Sequence, residues 1–498
     1  MGRELGSNES VTDGLGRADD RTVGHLLDDA PISQYHRRTI LVSGVGFFTD
    51  AYDLFVISIV ATLVAAQWHL TTTQTSWVTG SAILGAFVGA LVFGRIADLL
   101  GRKKVYVVVA AIMIVGALLS AVAPGFVWLV AARFVLGLGI GGDYPVSAVL
   151  MSEYANRKDR GRLVGLVFSM QALGLIVGPI VALILLSSGI GDQATWRILL
   201  GLGALPAAGV VYLRGRMPES PRFTAQVQGL TGQAERDLAV YSDRAVSATA
   251  TGPVERPARI SLREFLADRK MLLLLVGTAG SWFVFDYAYY GNTLSLPAIL
   301  KEVDSTATLE QKLAWTLGIF VVFALPGYIL AVAKMDRIGH RRLQFVGFGV
   351  MAVAFGTLAA FAHLTTVVAP FLAIFGVSYF FVEFGPNMTT FVLPSEVYPV
   401  SARTTGHGIS AGVGKLGAFV GVFVVPQLET HVGLRGILVV ATGAAVLGLG
   451  LTCLVPEPSG RSLDEADRVL RPVVRPVPPR RADVRPLPSA TEPDSLVG

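Results

Sequence analysis

Long apolar stretches, separated by short polar segments, recur along almost the whole chain. An α-helix needs about 20 apolar residues to cross the hydrocarbon core of a bilayer, and twelve stretches reach that length. We therefore predict an all-α membrane protein with twelve membrane-spanning helices, numbered here as spans 1 to 12. They are residues 39–66, 75–98, 104–123, 126–150, 161–187, 194–214, 270–300, 312–334, 343–363, 366–392, 405–427 and 433–455.

A longer polar segment separates the first six spans from the last six. The pattern predicts five parts: an N-terminal segment at 1–38, a six-helix bundle at 39–214, a central loop at 215–269, a second six-helix bundle at 270–455 and a tail at 456–498. Because the tail is rich in proline and arginine, we expect it to be disordered.

Composition and charge agree with a membrane protein. Hydrophobic residues make up 52% of the chain and charged residues only 15%, with a mean hydropathy of +0.58, whereas soluble proteins carry about 25% charged residues. The basic residues cluster on alternate connections, such as 102–104 and 157–162. This distribution follows the positive-inside rule, so it predicts cytoplasmic termini and a cytoplasmic central loop. It also argues against a nucleic-acid-binding patch.

The two halves of the chain contain similar motifs in the same order. The connection after span 2 contains GRIADLLGRKK (94–104), and the one after span 8 contains VAKMDRIGHRR (332–342). A second pair follows spans 4 and 10: Ser152, Glu153 and Arg160 in the first half, and Ser395, Glu396 and Arg403 in the second. These repeats indicate an internal duplication. Such a layout is typical of secondary transporters that bind substrate near midplane, between the halves.

The motif at 94–104 resembles the loop signature of the major facilitator superfamily, and Arg133 fits the arginine of its fourth helix. The resemblance extends over about residues 35 to 460. It implies the major facilitator fold, in which twelve transmembrane helices form two pseudo-symmetric six-helix bundles.

Span 4 contains the spacing of a dinucleotide-binding fingerprint, formed by Gly137, Gly139 and Gly142. Such a fingerprint needs a preceding strand and the N-terminus of a helix. Here the glycines lie inside a predicted helix, where small residues let a neighbouring helix approach closely. We therefore predict that they are packing glycines.

Ionisable residues inside the spans are informative, because a charged side chain at the bilayer centre costs at least about 2.5 kcal/mol. Six stand out: Asp50, Asp53, Arg133, Asp143, Asp286 and Lys415. We expect them to face a shared cavity or to pair with one another. A structural salt bridge between Asp50 and Arg133 and a coupling role for Arg133 are both open. For Asp143 and Asp286 we favour a function, since aromatic and amide side chains surround them in the sequence.

The polar residues near Asp286 suit a small oxyanion. Trp282 and Tyr290 lie one helical turn on either side of Asp286 and share its face. Hydrogen-bond donors together with one firm cation favour oxyanion binding. Buried carboxyls are compatible with an anion when they are protonated, so proton binding and substrate binding favour each other. The other residues of the predicted cavity are Tyr144, Gln171, Asn387 and Lys415.

Four segments resemble the phosphate:proton symporter family of the superfamily: GFFTDAYDLF (46–55), GGDYPVSAVLMSE (141–153), WFVFDYAYYG (282–291) and FGPNMTTFVLPSEVYP (384–399). The resemblance implies that Tyr144, Gln171, Trp282, Asp286, Tyr290 and Asn387 surround phosphate, with Lys415 nearby. It also implies that Asp50, Asp143 and Asp286 act in proton or substrate gating. Met388 and Tyr289 depart from the threonine and phenylalanine that the family commonly shows.

Charged residues at the cytoplasmic ends of the spans are predicted to form a gate that locks the outward-facing state. Their role is conformational, with no substrate contact expected. They are Asp98, Arg102, Glu153, Asp336, Glu396 and Arg403.

These observations predict a proton-coupled secondary transporter that imports inorganic phosphate by alternating access. A symporter for a sugar or small organic acid is one alternative, although a sugar site would not call for Lys415. A non-transporting nutrient sensor is another, although the chain leaves only short tails for signalling. An enzyme is not expected, since no nucleophile–base pair, metal cluster or phosphate loop is present.

The expected partners are inorganic phosphate or a small organic solute, protons and the lipid bilayer. No cofactor, metal or nucleic acid is expected, and the protein is predicted to function as a monomer. Its expected location is the plasma membrane, or the inner membrane of a bacterium, with both termini cytoplasmic.

Overall fold

A computed structural model of the protein describes residues 23–241 and 260–463. Helices dominate these residues, and none of them lies in a strand. Within the described ranges, twelve helical spans are long and apolar enough to cross a membrane, which confirms the predicted number and order. The spans are Gln34–Trp68, Thr72–Leu100, Arg102–Ala121, Phe126–Tyr154, Arg160–Ser187, Asp192–Phe223, Arg269–Leu294, Leu309–Ile338, His340–Ala360, Val368–Val397, Arg403–Glu429 and His431–Thr452.

Several spans are interrupted. Span 5 consists of Arg160–Ser169 and Gln171–Ser187, and span 6 of Asp192–Leu202, Ala204–Arg216 and Pro221–Phe223. A π-helical turn divides span 8 at Phe320–Ala324 and span 10 at Glu383–Asn387. In span 10, Gly385 leaves the helical conformation, with φ −116° and ψ −105°. Interrupted helices within a membrane protein occur where the backbone lines a protein-enclosed site.

Two predicted boundaries need correction, and parts of three predicted segments lie outside the described residues. Span 1 begins at Gln34, because Ser33 caps its first turn, so residues 34–38 are not part of a polar segment. Residues 456–463, predicted as disordered tail, are described and place the Leu463 side chain in a buried position. The rest of the predicted tail, 464–498, lies outside the described residues, as do residues 1–22 and 242–259 of the N-terminal segment and central loop.

Short helices connect the spans. The described parts of the central loop contain Thr224–Gln228, Thr231–Tyr241 and Leu262–Ala267. The other short helices are Val23–Asp28, Leu296–Val303 and Ala362–Thr365.

Glycines set the distance between the closest spans. A Cβ at Gly137 would lie 1.9 Å from the carbonyl oxygen of Ala82, so spans 2 and 4 touch through their backbones. Gly139 packs closely against span 3 in the same way, and Gly142 packs against Phe93. The prediction of packing glycines is confirmed. Small residues permit this approach because they place no side chain between the helices.

The duplicated motifs form matching structures. Gly101 and Gly339 end spans 2 and 8 with φ values of +102° and +96°, which suit glycine. After each glycine, one glutamate accepts hydrogen bonds from the first two backbone amides of the next span. Glu219 does so for span 3 at 3.2 and 3.3 Å, and Glu457 for span 9 at 3.0 and 2.9 Å. A carboxylate at a helix N-terminus satisfies amides that have no partner within the helix.

These connections lie at one end of the helix bundle, which we call the basic end and define by Arg102, Arg160, His340 and Arg403. The connection between spans 1 and 2 and that between spans 7 and 8 lie at the opposite end. The substrate residues predicted from the sequence lie between the two ends.

Candidate substrate site between the two halves

Lys415 of span 11 lies at the centre of the site. Its Nζ is 3.3 Å from Asp286 Oδ2 and donates a hydrogen bond of 3.0 Å to the Tyr290 hydroxyl. The ammonium also faces the ring of Tyr144, with Nζ 4.6 Å from its centroid, and the ring of Tyr290 at 4.3 Å. Since Tyr144 belongs to the first half, the cation contacts both halves. Aromatic faces stabilise such a cation without neutralising it.

A chain of hydrogen bonds crosses from one half to the other beside this cation. Gln171 Nε2 donates to the Tyr144 hydroxyl at 3.1 Å, and the Tyr328 hydroxyl donates to Gln171 Oε1 at 3.0 Å. Asn387 Nδ2 then donates to the Tyr328 hydroxyl at 2.8 Å. Tyr328 is a member of the site that sequence reasoning missed, because an isolated tyrosine in an apolar span gives no signal of its own.

The remaining predicted substrate residue, Trp282, lies beside Asp286 and packs against Tyr144 with ring centroids 6.2 Å apart. The structure thus brings together all seven predicted substrate residues, each at most 5% exposed. Together they provide several buried hydrogen-bond donors and one cation, Lys415.

Asp50 lies near this cluster, where Lys415 and Tyr144 interact with it electrostatically. The side chain is 2% exposed, the Tyr144 hydroxyl lies close to its carboxyl, and no basic side chain of the described residues forms an ion pair with it. Asp50 does not pair with Arg133. A buried carboxylate with no ion pair is unfavourable in its charged form, which makes Asp50 suited to carry a proton.

The partner of Arg133 is Asp53, one helical turn further along span 1. Arg133 Nη1 is 3.1 Å from Asp53 Oδ1, and Nη2 donates to the backbone oxygen of the same residue at 3.3 Å. Of the two alternatives left open, a structural salt bridge with Asp50 is therefore wrong, because Arg133 pairs with the aspartate three residues further along the chain. A coupling role for Arg133 stays a prediction.

Asp143 is held by Arg214, not by the substrate cluster. The two form a bidentate pair with distances of 2.8 and 3.1 Å, and the guanidinium lies over the Tyr106 ring at 4.0 Å. A Cβ at Gly46 would lie 2.1 Å from Asp143 Oδ2, so this glycine provides the space for the pair. In the sequence, Arg214 lies among basic residues at the end of span 6, with Arg216 two positions further on. Its burial, at 1% exposure, could not be read from the sequence.

We expect the substitution Arg214→Met to destabilise the protein by about 3–5 kcal/mol, because it leaves Asp143 buried without its cation. Thermal unfolding of the purified protein in detergent measures the effect. The double variant D143N/R214M should recover most of the loss. Arg216→Met serves as the matched control, since Arg216 is exposed two residues away and should change stability by no more than about 0.5 kcal/mol. Equal melting temperatures for R214M and R216M would contradict the prediction.

Span 10 contains a buried ionisable residue that sequence reasoning also missed. Glu383 is 0% exposed and begins the π-helical turn Glu383–Asn387. Its Oε2 accepts a short hydrogen bond from Asn387 Nδ2. The signal was present in the sequence, since FFVEFGPN places one glutamate in an otherwise apolar predicted span.

Aromatic side chains separate the cluster from the opposite end. Phe55 of span 1 stacks on Tyr290 with centroids 6.2 Å apart and meets Phe320 of span 8 at 5.8 Å. Beyond Phe55, a cavity of about 270 Å³ lies between the two halves, and hydroxyl groups including those of Ser58, Thr75 and Ser295 line it. Phe55, Tyr290 and Phe320 thus pack together between the two halves, next to the substrate cluster.

The basic end is closed more extensively. Asp98 Oδ2 accepts hydrogen bonds from the backbone and hydroxyl of Thr405, at 2.7 and 2.6 Å. Glu153 lies between Arg102 at 3.2 Å and Arg403 at 3.5 Å, so it bridges the halves. These contacts bring together four of the six predicted gate residues: Asp98, Arg102, Glu153 and Arg403.

The other two predicted gate residues meet at His340. Its ring nitrogens lie 3.5 Å from Asp336 and 3.8 Å from Glu396. Asp336 also accepts a hydrogen bond of 2.9 Å from the backbone amide of Arg162, across the halves. All six predicted gate residues therefore lie at the basic end, and their gating role stays a prediction.

Comparisons with known proteins agree with this architecture. The profile described as "Sugar (and other) transporter" matches residues 39–470. The chain is 38% identical to inorganic phosphate transporter 1-6 of Oryza sativa subsp. japonica, covering 91% of this chain and 96% of the relative. It is 33% identical to the repressible high-affinity phosphate permease of Neurospora crassa, covering 88% and 87%. Among solved structures, the proton:xylose symporter XylE bound to 6-bromo-6-deoxy-D-glucose has a TM-score of 0.74 at 19% identity, covering 89% of this chain and all of that one.

The fold and the buried site between two six-helix halves define a secondary transporter. The chain belongs to the sugar (and other) transporter family of the major facilitator superfamily. It is a multi-pass membrane protein of a transporter family and not of an enzyme family.

Proposed function

We propose that the protein transports inorganic phosphate together with protons by alternating access. The observation that carries the proposal is the position of Lys415, a buried cation held between Asp286, Tyr290 and the Tyr144 ring. The relatives named as phosphate transporters, which match nearly the whole length of this chain, support phosphate as the substrate.

Phosphate can replace the Asp286 carboxylate as the anion that balances the charge of Lys415. Without substrate, the charge of Lys415 is balanced by Asp286. A phosphate that binds to Lys415 adds negative charge beside Asp286 and weakens that balance. The neutral, protonated form of Asp286 then becomes favourable, and it can donate a hydrogen bond to a phosphate oxygen. Phosphate binding and proton uptake thereby stabilise each other.

Donors from both halves suit a substrate that must be released to alternate sides. Tyr144 and Gln171 belong to the first half, whereas Trp282, Tyr290 and Asn387 belong to the second. Rocking of the halves would separate these groups, which is the physical basis of alternating access. The ion pairs that join the halves at the basic end and the ring contacts of Phe55 with Tyr290 and Phe320 support an occluded state in which the basic end is closed.

We further propose that the protein lies in the plasma membrane, or the inner membrane if the source is bacterial, and works as a monomer within the lipid bilayer. The basic residues collected at one end of the bundle support a cytoplasmic position for that end and for both termini. We also propose the division into five parts, with boundaries at 38, 214, 269 and 455. Two changes given above apply to it: span 1 begins at Gln34, and residues 456–463 are described.

Uptake of radiolabelled phosphate into proteoliposomes tests the proposal. We expect an acidic exterior to drive uptake into vesicles that contain the wild-type protein, and collapse of the pH gradient by an ionophore to stop it. In D286N the amide cannot take up a proton, so the response of uptake to the gradient should fall. Xylose and a small dicarboxylate serve as competing substrates. Gradient-driven uptake of either one without phosphate uptake would leave the fold in place and refute the proposed substrate.

A further inference from the structure

Glu383 lies in the second half, close to the site but on the far side of Asn387. The side chain is completely buried, and the described residues supply no hydrogen-bond partner for its Oε1. Oε2 accepts a hydrogen bond from the amide of Asn387, and the hydroxyls of Tyr328 and Tyr289 lie close to the carboxyl. A structural glutamate at this depth would normally have both oxygens satisfied, since unmade hydrogen bonds are costly in a buried position.

The charge of Glu383 is also unbalanced. Among the described residues, the other buried carboxylates of the spans form an ion pair with a basic side chain, with the exception of Asp50, which lies near Lys415 without pairing with it. The groups that face Glu383 are neutral: Tyr289 from span 7, Tyr328 from span 8, and Tyr379 and Asn387 from its own span. Span 9 approaches the same turn through Gly347, which carries no titratable group. Each half therefore contains one buried carboxyl without an ion pair.

Hydrogen bonds connect the surroundings of these two carboxyls. From Glu383 the chain runs through Asn387, Tyr328 and Gln171 to Tyr144, which lies beside Asp50. The Tyr289 hydroxyl is buried next to Glu383, close enough to interact with its carboxyl. The backbone around Glu383 is interrupted at Gly385, so the carboxyl lies at a point where span 10 can bend.

On the basis of the proposed function, we propose that Glu383 carries a transported proton, in addition to the proton taken up in the cluster of Asp50, Asp286 and Lys415. Its carboxylate accepts one proton when the site is open to the opposite end and releases that proton when the site is open to the basic end. Neutral Glu383 fits the occluded state, because no cation is present to balance its charge. The transporter would then move two protons with each phosphate.

Proton coupling can be read from phosphate accumulation at equilibrium. With the membrane potential clamped at zero, each coupled proton contributes about tenfold accumulation for each unit of pH gradient. After correction for the ionisation of phosphate itself, we expect the logarithm of the accumulation ratio to rise with a slope of two in the wild type. In E383Q the slope should fall to one, so a one-unit gradient should drive about tenfold less accumulation.

Glutamine preserves the shape of Glu383 and can still accept a hydrogen bond from Asn387. Phosphate exchange at equal pH on both sides, which needs no net proton movement, should therefore remain in E383Q. E310Q is the matched control: Glu310 is exposed near the opposite end and its variant should keep both activities and the slope. Equal slopes for E383Q and the wild type would overturn the inference while leaving phosphate symport intact. If the wild-type protein neither accumulates nor exchanges phosphate, the proposed function itself is refuted.

If E383Q does not fold, infrared spectroscopy of the wild type labelled with ¹³C-glutamate provides the test. We expect a carbonyl band of a protonated, buried glutamic acid that loses intensity as the pH rises. The absence of such a band over the whole titration would overturn the inference.

Discussion

Replacement of Lys415 with methionine is expected to abolish phosphate transport. Lys415 is the cation of the proposed substrate site, and methionine has a similar length but no charge. A lost hydrogen bond to a charged group is worth up to about 3 kcal/mol, so affinity for phosphate should fall by ~100-fold or more. The variant also leaves Asp286 buried without its partner at 3.3 Å. Phosphate-dependent stabilisation against thermal unfolding and uptake into proteoliposomes both measure the loss.

Two further variants separate loss of binding from loss of structure. D286N/K415M removes both charges. It should therefore regain the stability that K415M loses, but it should not regain phosphate binding. Lys334→Met is the matched control, because Lys334 is exposed at the end of span 8. It should transport like the wild type. If K415M is still stabilised by phosphate to the wild-type extent, Lys415 does not bind the anion.

The second large effect concerns stability. Gly137→Ala should reduce the free energy of unfolding by about 3 kcal/mol or more, at the upper end of the range for overpacked sites. The added methyl group would lie 1.9 Å from the Ala82 carbonyl oxygen, and backbone cannot move aside as a flexible side chain can. Spans 2 and 4 would have to separate along their contact. Yield of folded protein and its melting temperature in detergent measure the change.

The same substitution at Gly443 provides the control. Gly443 is an exposed helical glycine of span 12, and a Cβ there would meet no atom within 4 Å. Because alanine favours the helix over glycine by up to about 1 kcal/mol, G443A should be neutral or slightly stabilising. If G137A and G443A have the same melting temperature, the packing of spans 2 and 4 does not depend on this contact.

Much of the fold follows from local properties of the sequence. Length and apolarity predict the twelve spans, because the bilayer imposes the same requirement on each of them. The duplicated motifs predict the equivalent positions of Gly101 and Gly339. The prediction of packing glycines also succeeded, since an isolated glycine in a membrane helix has few other uses than close packing.

Side-chain pairing was less predictable. Asp50 and Asp53 differ by less than one helical turn, and only the rotation of span 1 relative to span 4 decides which of them meets Arg133. Arg214 belongs to a basic segment in the sequence, yet it is buried against Asp143. A residue near the end of a span can turn toward either the solvent or the protein interior, and its neighbours in the sequence do not distinguish these outcomes.

The sequence by itself determined the class of the protein, the twelve spans, the two halves and the residues of a polar cavity, because these depend on hydrophobicity, repetition and residue type. The tertiary structure alone decided which charges are balanced. It paired Lys415 with Asp286, Arg133 with Asp53 and Arg214 with Asp143, and left Asp50 and Glu383 without ion pairs. The physical reason is that electrostatic balance depends on distances between spans that are far apart in the chain.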